Sequence, residues 1–196
     1  VRIRGDFPHF SLSGVQPYDA ERSANAEKLI SVDQWGTIAW GSFKQAFEGA
    51  ENLTIAATDT PDTSQVTDMS FMFHYALSAN PNLNAWNTSE VTSMEGAFWW
   101  AVKFDQPLGG WDTSKVTNMS RMFSGATRFN QTLSAWDTSQ VTDMSSMFSG
   151  ASTFAQSLDA WDTSQVTTMS NMFNGAKNFD QPLGGWNTSQ VSDMSY

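Results

Sequence analysis

The stretch that decides the fold is residues 111–126, WDTSKVTNMSRMFSGA, because nearly the same letters return every 25 residues. The next two repeats read WDTSQVTDMSSMFSGA at 136–151 and WDTSQVTTMSNMFNGA at 161–176. A unit of this length cannot bury its apolar side chains alone, so such repeats stack and share a core of side-chain ladders. The ladder residues keep one phase along the chain, as shown by Trp86, Trp111, Trp136, Trp161 and Trp186, and by Val66, Val91, Val116, Val141, Val166 and Val191.

Composition narrows the classes of function. The chain has 196 residues, a formal net charge of -10 and no cysteine. Acidic charge with scattered Lys and Arg argues against nucleic acid and anionic lipid as partners. No apolar run approaches the length of a transmembrane helix, so direct membrane insertion is not expected. The two histidines, His9 and His74, lack the spacing of a metal-ligand pair or of a nucleophile with its base. We therefore predict no metal, no cofactor and no enzymatic activity.

Each repeat divides into two local patterns. Leu133, Trp136 and Thr138 suit a short extended strand, and the polar residues after each Trp favour a turn. From Val141 to Phe148 the apolar spacing changes to three and four, which is typical of a helix. The predicted fold is thus an α/β repeat solenoid, a right-handed coil with one short parallel strand and one short helix per turn.

The repeats set the predicted domain boundaries. Residues 30–196 form the solenoid, with a one-residue shift near Thr58 to Pro61, where Pro61 replaces the expected Trp. Residues 1–29 are predicted to form an N-terminal β cap. The segment 186–196 supplies only the front of a repeat, so we expect the solenoid to be C-terminally incomplete and joined to further domains of the same chain.

The motif at 111–126 resembles the repeat of BspA-like leucine-rich-repeat surface proteins, a group that includes the 25-residue repeat of Mycoplasma-type lipoproteins and large adhesins. The resemblance covers about residues 30–196. It implies a leucine-rich-repeat-like solenoid that is displayed on the bacterial cell surface or secreted. It also implies adhesion or ligand binding, with protein, peptide or carbohydrate of a host or neighbouring cell as the partner. It implies no catalytic residues.

Departures from the repeat indicate a candidate binding site. Where later repeats carry Ser-Gly or Asn-Gly, two earlier repeats carry His74 with Tyr75 and Trp99 with Trp100. Because residues one period apart should be neighbours, we expect four large rings on adjacent turns, rimmed by Lys103 and Arg128. Exposed aromatic rings can stack on sugars or grip a peptide anchor. Alternatively, the rings fill a gap left by Gly96, Ala97 and Pro61, or pack on a neighbouring domain.

A second candidate surface is the acidic column after the tryptophans. Asp112, Asp137 and Asp162 lie one period apart. An acidic face, or a calcium-binding edge, is one interpretation, and the capping of turns by the adjacent Thr-Ser pairs is the other.

Two other functions stay open at this point. A purely structural spacer that holds other domains apart would also need a rigid repeat. The regular threonines allow an ice-binding solenoid, although threonine is also an ordinary strand and turn residue.

Overall fold

The computed structural model describes residues 9–11 and 26–195, and its regular elements are two short strands. Strand β1 spans Ser31–Val32 and strand β2 spans Thr54–Ile55. The two strands are parallel, with Ser31 opposite Thr54 and Val32 opposite Ile55. They begin the stack of repeats, in which each repeat lies on the next.

We call each 25-residue repeat a coil, counted from the Trp position, so that the coils are 61–85, 86–110, 111–135, 136–160 and 161–185. Neighbouring coils are joined by single-residue parallel bridges instead of continuous strands. The bridged residue is the one before the first Met of the motif, and the series runs through Asp68, Ser93, Asn118, Asp143, Thr168 and Asp193. Equivalent residues of successive coils are therefore neighbours.

The segment predicted as a helix has a different backbone. The amides of Met144, Ser146 and Phe148 donate to carbonyls of the next coil at 3.1, 2.7 and 2.9 Å. Between them, the Ser145 amide donates to the carboxylate of Asp143 at 2.8 Å, and the Met147 amide donates back only three residues, to Met144 at 3.2 Å. Ser146 and Gly150 have φ values of 55° and 71°. A helix requires negative φ throughout and a bond to the fourth residue back, so it cannot form here.

The predicted α/β class is therefore wrong, as is the leucine-rich-repeat-like turn with one strand and one helix. The described residues contain two short strands in one sheet, and the coils are built from tight turns and single bridges. The predicted strand from Leu133 to Thr138 is also absent, because the bridges lie further along each coil, at Asn118 and Asp143.

Stacked aromatic ladders form the core. The rings of Phe98 and Phe123 are 5.6 Å apart with planes 2° apart, and Phe123 and Phe148 continue the column at 5.7 Å. A second column beside it includes Phe129, whose ring lies 4.0 Å from that of Phe123. Four ladder tryptophans are anchored as well, Trp111, Trp136, Trp161 and Trp186. The Trp136 indole N–H, for example, donates to the carbonyl of Leu108, in the coil 86–110, at 3.0 Å. These ladders fix both the spacing and the rotation of the coils.

The first turns of the stack accommodate the missing Trp. Pro61 is buried, and Trp35 reaches past it to contact Trp86 edge to face, with ring centroids 5.2 Å apart. Phe43 contacts Trp86 as well, at 4.9 Å. The space at the Trp position of this coil is thus filled from inside the core.

The predicted cap over residues 1–29 falls mainly outside the described residues. Within the described part, His9 forms a parallel bridge with Ser42, and the Phe10 ring lies 6.4 Å from the Phe47 ring. No helix among the described residues is long and apolar enough to cross a bilayer.

Candidate functional site

The ring patch consists of His74, Tyr75, Trp99 and Trp100, on the first two coils. Its outer members are exposed: Tyr75 keeps 40% and Trp100 keeps 42% of its surface accessible. Trp99 is half-buried, and His74 is buried, with only 7% of its surface accessible. The expected neighbours are together, but His74 supports the patch from beneath and does not contribute to its surface.

Two parallel stacks make up the patch. His74 lies on Trp99 with ring centroids 4.4 Å apart and planes 15° apart. Tyr75 and Trp100 are 6.2 Å apart with planes 5° apart. Because stacked carbon atoms touch at about 3.5 to 4.0 Å, the second pair does not overlap face to face at contact distance. Each ring of that pair therefore leaves part of its face uncovered.

The two exposed rings occupy a backbone position at which the later coils have glycine. Tyr75 and Trp100 have φ values of 56° and 57°, and Gly125, Gly150 and Gly175 occupy the same position at 70° to 74°. A left-handed conformation costs a non-glycine residue about 1 to 2 kcal/mol. Tyr75 and Trp100 therefore place large rings at a backbone position where glycine would be less strained.

A glycine also allows the Trp100 ring to contact the backbone of the next coil. A Cβ atom on Gly125 would lie 2.9 Å from Cδ2 of the Trp100 ring, closer than real Cβ contacts permit. The indole therefore rests directly on the backbone of the next coil. Gly96 has the same relation to Phe71, whose ring would be 2.8 Å from a Cβ atom there. The Phe71 ring thus occupies the space beside Gly96.

A buried polar pair lies under the patch. Nδ1 of His74 lies 3.1 Å from Oε1 of Glu48, which occupies the equivalent position of the preceding turn. Nε2 of His74 is buried without a hydrogen-bond partner. This contact holds the imidazole flat against Trp99, and so fixes the orientation of the inner stack.

Sequence reasoning missed two residues of this surface. The guanidinium of Arg121 lies 5.8 Å from the centroid of Trp99, within the range of a cation–π contact, and Nη1 of Arg121 pairs with Oε1 of Glu95 at 3.4 Å. Phe71 is half-buried beside Trp99, with ring centroids 6.3 Å apart. Both residues occupy one position of the motif, which Gly96 fills in the coil between them, so a search for departures at this position would have found them.

The predicted cations, Lys103 and Arg128, are exposed. Neither side chain forms an ion pair or a ring contact with any residue that the structure describes. They do not touch the rings, and their charges face solvent.

The acidic column of Asp112, Asp137 and Asp162 caps turns. Each carboxylate accepts the backbone N–H two residues on, at 2.9 to 3.0 Å. Hydrogen bonds from the hydroxyl and backbone N–H of Ser114 hold the pKa of Asp112 below its usual value. The same pair of bonds from Ser164, the backbone one first, lowers the pKa of Asp162. Among the described residues, no group of three or more His, Cys, Asp or Glu is placed to bind a metal ion.

An apolar hollow of about 680 Å³ lies on the last coils. Its walls include Met169, Met172, Phe173, Trp186 and Met194. In the preceding coils the equivalent methionine and phenylalanine side chains are covered by the next coil and fully buried.

These features define a class: a repeat protein of stacked 25-residue coils that carries a cluster of aromatic rings on its first coils. A family model described as "Mycoplasma protein of unknown function, DUF285" matches residues 41–141 and 130–196. The chain belongs to this family, which agrees with the Mycoplasma-type repeat expected from the sequence. No curated protein and no solved structure matches the chain significantly.

Proposed function

We propose that this chain is a non-enzymatic adhesion and ligand-binding module of a larger bacterial surface protein, displayed outside the cell. In this proposal the ring patch contacts a peptide or a carbohydrate on a host or neighbouring cell. The observation that carries it is the exposed, parallel pair of Tyr75 and Trp100. Tyr and Trp dominate binding hot spots, and exposed apolar patches mark interaction sites.

Packing alone does not account for the rings. The space at Pro61 is filled by Trp35, and Gly96 is covered by Phe71. The exposed rings also occupy left-handed positions that the later coils give to glycine. A residue that is retained against its backbone preference and that faces solvent is better explained by contact with a partner.

The scaffold favours binding because it is already ordered. Tyr75 donates its backbone N–H to Trp99 at 2.9 Å, and Trp100 donates to Ser124 at 2.8 Å, so the backbone under each ring is tied to the next coil. A ligand therefore does not bear the entropic cost of ordering this surface. The resemblance to BspA-like surface proteins supports the same role, with the chain as one part of a longer adhesin.

The test replaces the two exposed rings by the residue of the later coils, in the double variant Tyr75→Gly and Trp100→Gly. Because glycine relaxes both left-handed positions, we expect the variant to fold. We expect it to lose binding on a combined glycan and peptide array and to lose adhesion to cells. The control is Ile30→Ser, which removes an exposed apolar side chain elsewhere and should leave binding unchanged. Undiminished binding by the folded double variant would favour a structural spacer.

A further inference from the structure

We infer that the ring patch and its two free cations select an acidic carbohydrate, one that carries carboxylate or sulfate groups. The inference rests on the proposed function and names the chemical class of the ligand. In it, a sugar ring lies on Tyr75 and Trp100, while Lys103 and Arg128 bind the anionic substituent.

The charges of the described residues separate into two groups. Lys44, Lys115 and Arg121 each pair with a carboxylate of a neighbouring turn, at 3.2, 2.7 and 3.4 Å. Lys103, Arg128 and Lys177 have no such partner among the residues that the structure describes. Of these exposed cations, Lys103 and Arg128 lie close in sequence to the exposed rings and to the glycine beneath them, whereas Lys177 lies on a later coil.

Lys103 and Arg128 are also neighbours. Asn130 donates its backbone N–H to the Asp105 carboxylate at 3.0 Å, and Thr127 donates its hydroxyl to the Val102 carbonyl at 3.5 Å. The residues on both sides are thus in register, and one coil step separates the two cations, a backbone spacing of roughly 4.8 Å. Two like charges on adjacent coils repel, and an anion bound between them removes that repulsion.

The cations lie next to the exposed rings along the chain. Lys103 follows Trp100 by three residues, and Arg128 follows Gly125, which carries the Trp100 ring, by three. Three residues span at most about 11 Å. Lys103 also sits within a tight turn closed by a 3.0 Å bond from Phe104 to Ala101, which shortens this distance. One sugar unit and its charged substituent can therefore contact both groups.

The backbone around the rings favours a carbohydrate over a peptide. A peptide strand binds by adding to an open edge, where it needs free N–H and C=O groups. Here the amides of Tyr75 and Trp100 donate to the next coil, and the Trp99 carbonyl accepts the bond from Tyr75. The accessible surface consists of ring faces and cationic side chains, which match the apolar face of a sugar ring and its anionic group.

The experiment measures binding of the full chain by calorimetry at low salt. The probes are two matched pairs, oligogalacturonate with its methyl ester and dextran sulfate with dextran, together with a poly-glutamate peptide. The pairs separate carboxylate from sulfate and charge from sugar skeleton. The variant Lys103→Glu with Arg128→Glu is compared with Lys177→Glu, which reverses an exposed cation on a later coil.

We expect the acidic member of at least one pair to bind more tightly than its neutral partner. The double reversal should weaken that binding about tenfold, the sum of two exposed ion pairs, and Lys177→Glu should not. The Tyr75→Gly and Trp100→Gly variant should weaken binding of acidic and neutral members alike.

Three results would overturn the inference. Equal binding of acidic and neutral members, with no effect of the double reversal, refutes the selection for anions. In that case the proposed function still stands if the ring variant loses affinity. Tighter binding of poly-glutamate than of any glycan assigns the surface to acidic peptides. Absence of binding to every probe refutes the assignment to acidic carbohydrate, and the proposed function falls with it only if the array and cell assays are also negative.

Discussion

The variant Gly125→Ala tests the contact between the Trp100 ring and the Gly125 backbone, and Gly150→Ala is its matched control. The two glycines occupy the same position on adjacent coils, with φ values of 70° and 71°. A methyl group on Gly125 would lie 2.9 to 3.2 Å from three atoms of the Trp100 ring. A methyl group on Gly150 would lie 3.7 Å from the nearest backbone atoms, an ordinary contact distance.

The expected magnitudes follow from this difference. Both variants force alanine into the left-handed region, which costs about 1 kcal/mol. Gly125→Ala must also displace the indole. Because Trp100 is partly exposed, its ring can move outward, so the extra cost is at the low end of overpacking, about 1 kcal/mol. At roughly 3 °C per kcal/mol for a chain of this size, the melting temperature should fall by about 3 °C for Gly150→Ala and about 6 °C for Gly125→Ala.

Thermal melts followed by circular dichroism measure both shifts. A double-mutant cycle with Trp100→Gly tests the cause of the extra cost. In the Trp100→Gly background the ring is absent, so Gly125→Ala should cost only as much as Gly150→Ala does in the unaltered chain. Equal destabilisation by the two glycine variants, or an unchanged extra cost without the ring, would refute the placement of Trp100 on Gly125.

Two further predictions concern the scaffold. Thr138→Val deletes a buried hydroxyl that donates to the Asp162 carbonyl at 2.9 Å, so the free energy of unfolding should fall by about 1 to 2 kcal/mol in urea titrations, whereas Thr142→Val, at an exposed position, should change it much less. Equal losses would contradict the difference in burial. Partial burial raises the pKa of Asp68. Hydrogen bonds from Ser70 and the charge of Lys44 lower this pKa by more than burial raises it, so the pKa lies below its usual 3.8. The stability that this carboxylate contributes is complete above about pH 4 and is lost as pH falls through the lowered pKa. Melts from pH 7 to acid should show this decline, and Asp68→Asn should make it shallower; an identical acid profile for the variant would contradict the assignment.

The register of the coils could be predicted from the sequence. Identical residues 25 positions apart stack because each coil needs the next one to bury its Phe and Met side chains. The column of Phe98, Phe123 and Phe148 follows this rule. The pairing of Tyr75 with Trp100 was predictable for the same reason.

The local backbone could not be predicted from apolar spacing. Val141, Met144 and Phe148 point inward because the chain turns tightly around the core, and this gives the same three-and-four spacing as a helix. The distinguishing signal is that the Gly150 position is left-handed in every coil and that a second left-handed residue, such as Ser146, precedes it by four. Serine at that position carries no obvious mark of positive φ, so the sequence pattern favoured the wrong structure.

The candidate site was predictable in position and less so in composition. Two rings that replace Ser-Gly identify the place, but the burial of His74 depends on Glu48, which comes from a turn shifted by one residue. Arg121 departs from the repeat at the position held by Phe71 and Gly96, which marks the position as variable, but arginine there looks like ordinary surface charge, and its contact with Trp99 follows only from the structure.

The near identity of the coils at 111–135 and 136–160 has a consequence for the length of the molecule. Removing the coil 136–160 would bring together two surfaces that already match. In the shortened chain Phe123 would stack on Phe173, the ring on which Phe148 stacks now. Excising a number of residues that is not a multiple of 25 would put the ladders out of phase, so that the Phe and Met side chains of one coil would no longer meet their equivalents in the next. Within residues 61–185, where the period is unbroken, the ladders are kept only when the chain lengthens or shortens by whole periods, so related sequences that differ in length in this part should differ by multiples of 25 residues.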